Sequence, residues 1–198
     1  VKVGVLLLAA GGSSRLGRAK QLLMHQGKTL VRRAAEAAVE VGCGPVVAVL
    51  GAQAEAVAAE LNRLPVQTVR NEDWEEGLGN SLRVGLRAFD TREPAGSGSE
   101  VDAVLVLLCD QFRVDASHLR ALVKAFQRTN KPIVASGYEG TRGVPALFSR
   151  SLFPELEAIA PDQGARKVIA REPSRVVEVM LEGGGEDVDT TADLQRLR

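Results

Sequence analysis

The residues whose types and spacing point most directly to chemistry are Leu8-Ala9-Ala10-Gly11-Gly12-Ser13-Ser14-Arg15-Leu16-Gly17-Arg18-Ala19-Lys20. Two adjacent glycines let backbone amides come close to a ligand and adopt dihedrals closed to other residues. Successive N–H groups in such a loop form an anion-binding concavity. Arg15, Arg18 and Lys20 add positive charge; with Lys2, Lys28, Arg32 and Arg33 they all precede Glu36, the first carboxylate. A field of that sign suits a polyphosphate. Two readings fit: a phosphate-binding loop, or a tight turn flanked by solvated charges. It is not a Walker A loop, because Arg18-Ala19 stands where Lys-Ser/Thr is required. It is not a dinucleotide fingerprint either, because it holds no Gly-x-Gly-x-x-Gly.

Asp110 follows a run of apolar residues. A carboxylate there is a natural Mg²⁺ ligand, because Mg²⁺ takes a few carboxylates together with phosphate oxygens and water. The plainer alternatives are a helix cap or a surface acid. Asp187 and Asp189 can supply a second carboxylate, or can be acids at a helix N-terminus favoured by the dipole. Ser81, after the only tryptophan, Trp74, can meet a base or ribose, or can cap a helix while Trp74 packs in the core. Arg142-Gly143-Val144-Pro145 and Asp162-Gln163-Gly164-Ala165-Arg166 can line a second substrate pocket, or can be a turn and a helix start. His25 and His118 read as surface or packing residues, and nothing marks a nucleophile of the Ser-His-Asp or Cys-His kind.

The elements that must hold these residues alternate. Val3–Ala9 and Asp102–Cys109 are aliphatic runs of the kind that form strands buried on both faces. Pro45–Leu50, Val66–Val69, Ile133–Ala135, Pro145–Phe148 and Arg175–Leu181 read as shorter strands. Helical spacing covers Thr29–Val41, Ala52–Arg63, Gly77–Phe89, Asp115–Arg128, Leu152–Ile159, Gly164–Arg171 and Thr190–Leu197, and 91–100 is a turn-rich connection. The pattern predicts an α/β fold, a three-layer Rossmann-like, doubly wound, mainly parallel sheet. With the first four strands in the order 3-2-1-4, the loop after Ala9 and the carboxylate of Asp110 face one crevice at the switch point.

Composition narrows the partners. The chain has 198 residues, 45% of them hydrophobic and 25% charged, which predicts one globular domain over 1–198. Lys+Arg and Asp+Glu are both 25, so no broad attraction to nucleic acid or an anionic membrane is expected. The apolar run at Val3–Ala10 is too short to span a bilayer and lacks a signal-peptide pattern. Two distant cysteines, Cys43 and Cys109, fit a reducing cytoplasm.

As a set, the motifs resemble the MobA-like nucleotidyltransferases, most closely the molybdenum cofactor cytidylyltransferase branch. The resemblance runs through the first loop, Asn71…Trp74…Gly77…Ser81-Leu82, Leu108-Cys109-Asp110-Gln111, Gly143…Pro145…Phe148, Asp162…Gly164-Ala165-Arg166 and Asp187-Val188-Asp189-Thr190. It implies that Leu8, Ala9, Ala10, Gly11, Gly12, Ser13 and Ser81 hold the nucleotide. Arg15 and Lys20 would lie on the triphosphate as catalytic residues, together with Asp110. Asp110 and Asp189 would bind Mg²⁺, and Gln111, Gly143, Pro145, Asp162 and Arg166 would face the acceptor. Ala10 goes with CTP over GTP in this family. The implied reaction moves CMP from CTP to the terminal phosphate of molybdopterin, releasing pyrophosphate. The alternatives are a sugar phosphate or other small phosphorylated acceptor, or a non-catalytic cofactor chaperone for a molybdoenzyme client. Phe112 replaces the family's usual Pro after Asp-Gln, Glu72 a common Pro after the Asn, and Val144 a frequent His.

Overall fold

The computed structural model describes residues 1–12, 17, 19–90 and 100–184. Strands β1 (Val3–Ala9), β2 (Val46–Leu50), β3 (Val66–Arg70), β4 (Ala103–Leu108), β5 (Ile133–Tyr138), β6 (Thr141–Ser149) and β7 (Val176–Met180) form one sheet in the order β3-β2-β1-β4-β6-β5-β7. The first four strands thus take the expected order 3-2-1-4 and all run parallel. Only β6 is reversed, antiparallel to both β4 and β5, while β7 runs parallel to β5.

Side chains alternate across the buried strands because successive Cβ atoms point to opposite faces. Val3, Val5, Leu7 and Ala9 pack with residues of α1 (Leu30–Val41), α2 (Ala54–Glu60) and α4 (Ala116–Arg128). Leu6, Leu8 and Ala10 pack on the other face with α3 (Leu78–Asp90), α5 (Phe153–Glu157) and α6 (Arg166–Arg171). Every residue of β1 is buried, which is why its run has no polar break. Thr29 caps α1 and Asp115 caps α4, its carboxylate accepting from the His118 N–H at 2.9 Å. These caps satisfy amides that the helices leave open, each worth about 1 kcal/mol.

The largest departure from the sequence reading is at β6. Arg142–Pro145 is not a connection between two strands but lies inside one. The turn is at Glu139 and Gly140, both with positive φ, at 50° and 72°. Ala135 pairs with Ala146, whereas Ser136 pairs with Gly143, so Val144 and Pro145 form a bulge. A bulge is where a strand tolerates a proline that cannot donate to the ladder. The terminal helix expected at Thr190–Leu197, and the 91–99 part of the connection, lie outside the described residues. Among the described residues no helix is long and apolar enough to cross a membrane.

Candidate active site

The C-terminal ends of β1 to β4 share one edge of the sheet, and the reversal of β6 brings its first residues to that edge as well. A cavity of about 340 Å³ opens there, walled by Ala9–Gly12, Lys20 and Gln21, by Trp74, Leu78 and Ser81, and by Leu108–Asp110. The structure therefore brings together the residues before and after the loop, Ser81 and Asp110. Ser13, Arg15 and Asp189 lie outside the described residues.

Asp110 is neither a cap nor a surface acid. It is only 5% exposed. Its Oδ2 accepts a hydrogen bond from Lys20 Nζ, and Oδ1 is buried with no hydrogen-bond partner among the described residues. A buried carboxylate oxygen with no donor is costly, and a cation is the natural partner for it. Asp110 thus fits a divalent ion, with phosphate oxygens and water completing the shell. No group of three or more acidic, His or Cys side chains forms a metal cluster among the described residues. Burial pushes the neighbouring Cys109 thiol far above its ordinary range, with the Asp110 charge adding to the rise. Cys109 is therefore a neutral wall residue, not a nucleophile.

Trp74 packs at the margin of the core, against the cluster that holds Leu8, Ala10 and Leu82. It is half-buried, and its ring lies where a Cβ on Gly12 would be, 2.6 Å from Cζ3. Glycine at position 12 is what lets the indole reach the loop. Gly12→Ala is expected to displace the ring at a cost of about 1–3 kcal/mol. For a chain of this size each kcal/mol lowers Tm by about 2–4 °C, so a thermal melt checks it, and an unchanged Tm would contradict the contact.

Ser81 lies within the first turn of α3 rather than at its cap. Its hydroxyl accepts from Asn71 Nδ2 at 3.0 Å. Asn71 in turn uses Oδ1 to accept from the Asp73 N–H at 3.1 Å and from Asn80 Nδ2 at 3.3 Å. A buried network of this kind fixes the Ser81 oxygen at the cavity wall.

The residues expected on the acceptor side form two contacts. Gln111 Nε2 donates to the Val144 carbonyl at 2.8 Å, tying the end of β4 to the β6 bulge. Ser136 Oγ donates to the Pro145 carbonyl at 2.6 Å and is met by His118 Nε2 at 2.7 Å. Burial holds His118 below its ordinary pKa, so at neutral pH its ring is an uncharged donor to Ser136. A Cβ on Gly143 would lie 2.1 Å from the Tyr138 hydroxyl. Arg166, exposed, donates to Thr141 at the start of β6. Asp162 instead lies beside Gly77, whose φ of 122° lets the chain pass close to Pro161 and Asp162. Phe112, which stands in place of the family's usual Pro, is buried; its ring meets His25 edge-on at 5.3 Å. His25 belongs to the short hairpin that follows Lys20, so this contact braces the Lys20 and Asp110 segments together.

Sequence reasoning passed over Gln21. It is 1% exposed, and its Nε2 donates to the carbonyls of Ala9 at 3.0 Å and Gly11 at 2.6 Å. Its position directly after Lys20 was the only available signal.

The MobA-like NTP transferase domain matches residues 5–176. The chain belongs to that family. By family it is a nucleotidyltransferase. It is 36% identical to a nicotine blue oxidoreductase of Paenarthrobacter nicotinovorans, over 97% of this chain and 94% of the relative. It is 28% identical to the purine catabolism protein PucB of Bacillus subtilis (strain 168), over 99% and 95% of the two chains. Among solved structures, the Rv0371c complex with manganese from Mycobacterium tuberculosis H37Rv superposes with a TM-score of 0.77 at 28% identity, covering 100% of this chain and 98% of that one.

Proposed function

We propose that this MobA-like chain transfers CMP from CTP to the terminal phosphate of molybdopterin, releasing pyrophosphate. One observation carries the reading: a buried carboxylate, Asp110, bonded to Lys20 at a cavity whose facing wall is the glycine loop. A phosphate oxygen of the acceptor attacks the α-phosphorus, the bond to the β-phosphate oxygen breaks, and pyrophosphate leaves with the electron pair. The acceptor phosphate is already an anion near neutral pH, so the difficulty is bringing two anions together. Groups aimed at developing negative charge in a water-poor site lower that barrier.

The loop from Ala10 onward holds the triphosphate through its amides, with Arg15 and Lys20 as the cations. Ser81 meets the nucleoside. Asp110, with Asp189, would hold Mg²⁺, which supplies charge neutralisation on the phosphates. Manganese in the related Rv0371c structure supports a divalent ion in this role. Gln111, Gly143, Pro145 and Arg166 line the acceptor side, while Asp162 lies by Gly77 at the nucleotide cavity. The place of work is the cytoplasm, on the whole 198-residue chain as one domain, with no nucleic acid or membrane partner and with a molybdoenzyme as client.

Incubation with each of the four NTPs, Mg²⁺ and molybdopterin, followed by mass analysis, tests the proposal. The expected product is the cytidylyl conjugate together with pyrophosphate. Product with a sugar phosphate but none with molybdopterin would transfer the reading to that acceptor. Tight CTP binding with no pyrophosphate from any acceptor would favour the chaperone. The name of the P. nicotinovorans relative favours one further reading, an oxidoreductase, for which a nicotinamide dinucleotide is the electron donor to try. Oxidation of NADPH without any nucleotidyl transfer would establish it in place of ours.

A further inference from the structure

Gln21 is the residue to which the proposed chemistry gives no task, yet its contacts are aimed at the loop. Ala9 O and Gly11 O both accept from its carboxamide nitrogen, and between them Ala10 O accepts from the Ala52 N–H at 3.0 Å. Three successive carbonyls are thus each engaged by a donor from the protein. The N–H groups of Gly11 and Gly12, in contrast, donate to nothing among the described residues. A carbonyl oxygen is the negative end of its peptide dipole, so one turned into the cavity would repel a phosphate, whereas a free N–H attracts it. Gln21 Oε1 is buried without a hydrogen-bond partner among the described residues, a cost an apolar residue of the same size would not carry. The side chain's protons, not its bulk, account for an amide in this position.

We propose that Gln21 is a positioning residue for triphosphate recognition: it holds the Ala9 and Gly11 carbonyls away from the cavity so that the following amides face the phosphates. This rests on the nucleotidyltransferase reading above. The test is Gln21→Met, similar in length with no donor. Binding of CTP, of pyrophosphate with Mg²⁺, and of cytidine is followed through the fluorescence of Trp74, the chain's only tryptophan and part of the cavity wall. Affinity for CTP and pyrophosphate is expected to fall about tenfold or more, the scale of losing two buried hydrogen bonds. Cytidine affinity should stay within about twofold, and the KM for CTP should rise by more than kcat falls.

Pyrophosphate bound as tightly as by wild type, or CTP and cytidine weakened alike, would overturn the proposal. Should the variant not fold, the wild-type protein carries the test by NMR. The Gly11 and Gly12 amide resonances should shift on adding pyrophosphate, while both Gln21 carboxamide protons exchange slowly. Unshifted amides beside a measurable nucleotide affinity, or a fast-exchanging carboxamide, would refute it. A wild-type protein that responds to neither CTP nor pyrophosphate would instead bring down the nucleotidyltransferase reading itself.

Discussion

Asp110→Asn is expected to slow pyrophosphate release from CTP by about 10²-fold or more, the scale seen when a group stabilising transition-state charge is removed. Asparagine keeps the volume, so the buried site stays filled and the loss is electrostatic. In the wild type one carboxylate oxygen accepts from Lys20 and the other has no partner among the described residues. An amide presents only one oxygen, uncharged, and its NH₂ has no affinity for a cation. Two effects should therefore appear together: a fall in kcat with Mg²⁺, and weaker binding of Mn²⁺ followed by electron paramagnetic resonance. A variant with lost activity but normal Mn²⁺ affinity would show that Asp110 acts only through Lys20. A variant that turns over like wild type would end the assignment.

The parts of this site that were legible in the sequence are those made by unbroken patterns. β1 and β4 are buried on both faces, so each is written as an aliphatic run, and the chemistry starts where the run stops, at Ala10 and at Cys109-Asp110. Their adjacency followed from strand order and was reproduced by the register of β1 against β4. The acceptor side was harder to read. Gly143 and Pro145 interrupt the alternation of β6, and only the bulge opposite Ala135 and Ser136 explains how one strand can contain them. The contact of Trp74 with the loop is not legible in the sequence, because its partner, Gly12, lies on a distant segment and offers a missing side chain rather than a pattern. Gln21 carries no chemistry by type; its meaning comes wholly from which carbonyls it reaches. Arg15 and Asp189, which the family resemblance places on the triphosphate and the metal, lie outside the described residues.

Lys20→Met is expected to cost about as much as the change at Asp110, but with a different signature. Lys20 opens a short 3-10 turn at the far end of the glycine loop, and its side chain is 22% exposed against 7% for Asp110. Lys20 and Asp110 both line the cavity, so a triphosphate bound there as proposed would compete with the acid for the ammonium. Methionine retains most of the stem's packing and removes the charge, so affinity for CTP and the transfer step should both suffer, with kcat/KM down by about 10²-fold. Lys20→Arg keeps the charge on a bulkier fork and should recover part of that loss; equal activity in the Met and Arg variants would remove charge from the explanation. The double variant decides whether the pair works as a unit. Residues in direct contact couple by about 0.5–3 kcal/mol, so Lys20→Met combined with Asp110→Asn should be much less damaging than the product of the two single losses. Strict multiplication of the two effects would mean that acid and cation act independently, and that their contact in the free protein has no part in assembling the site.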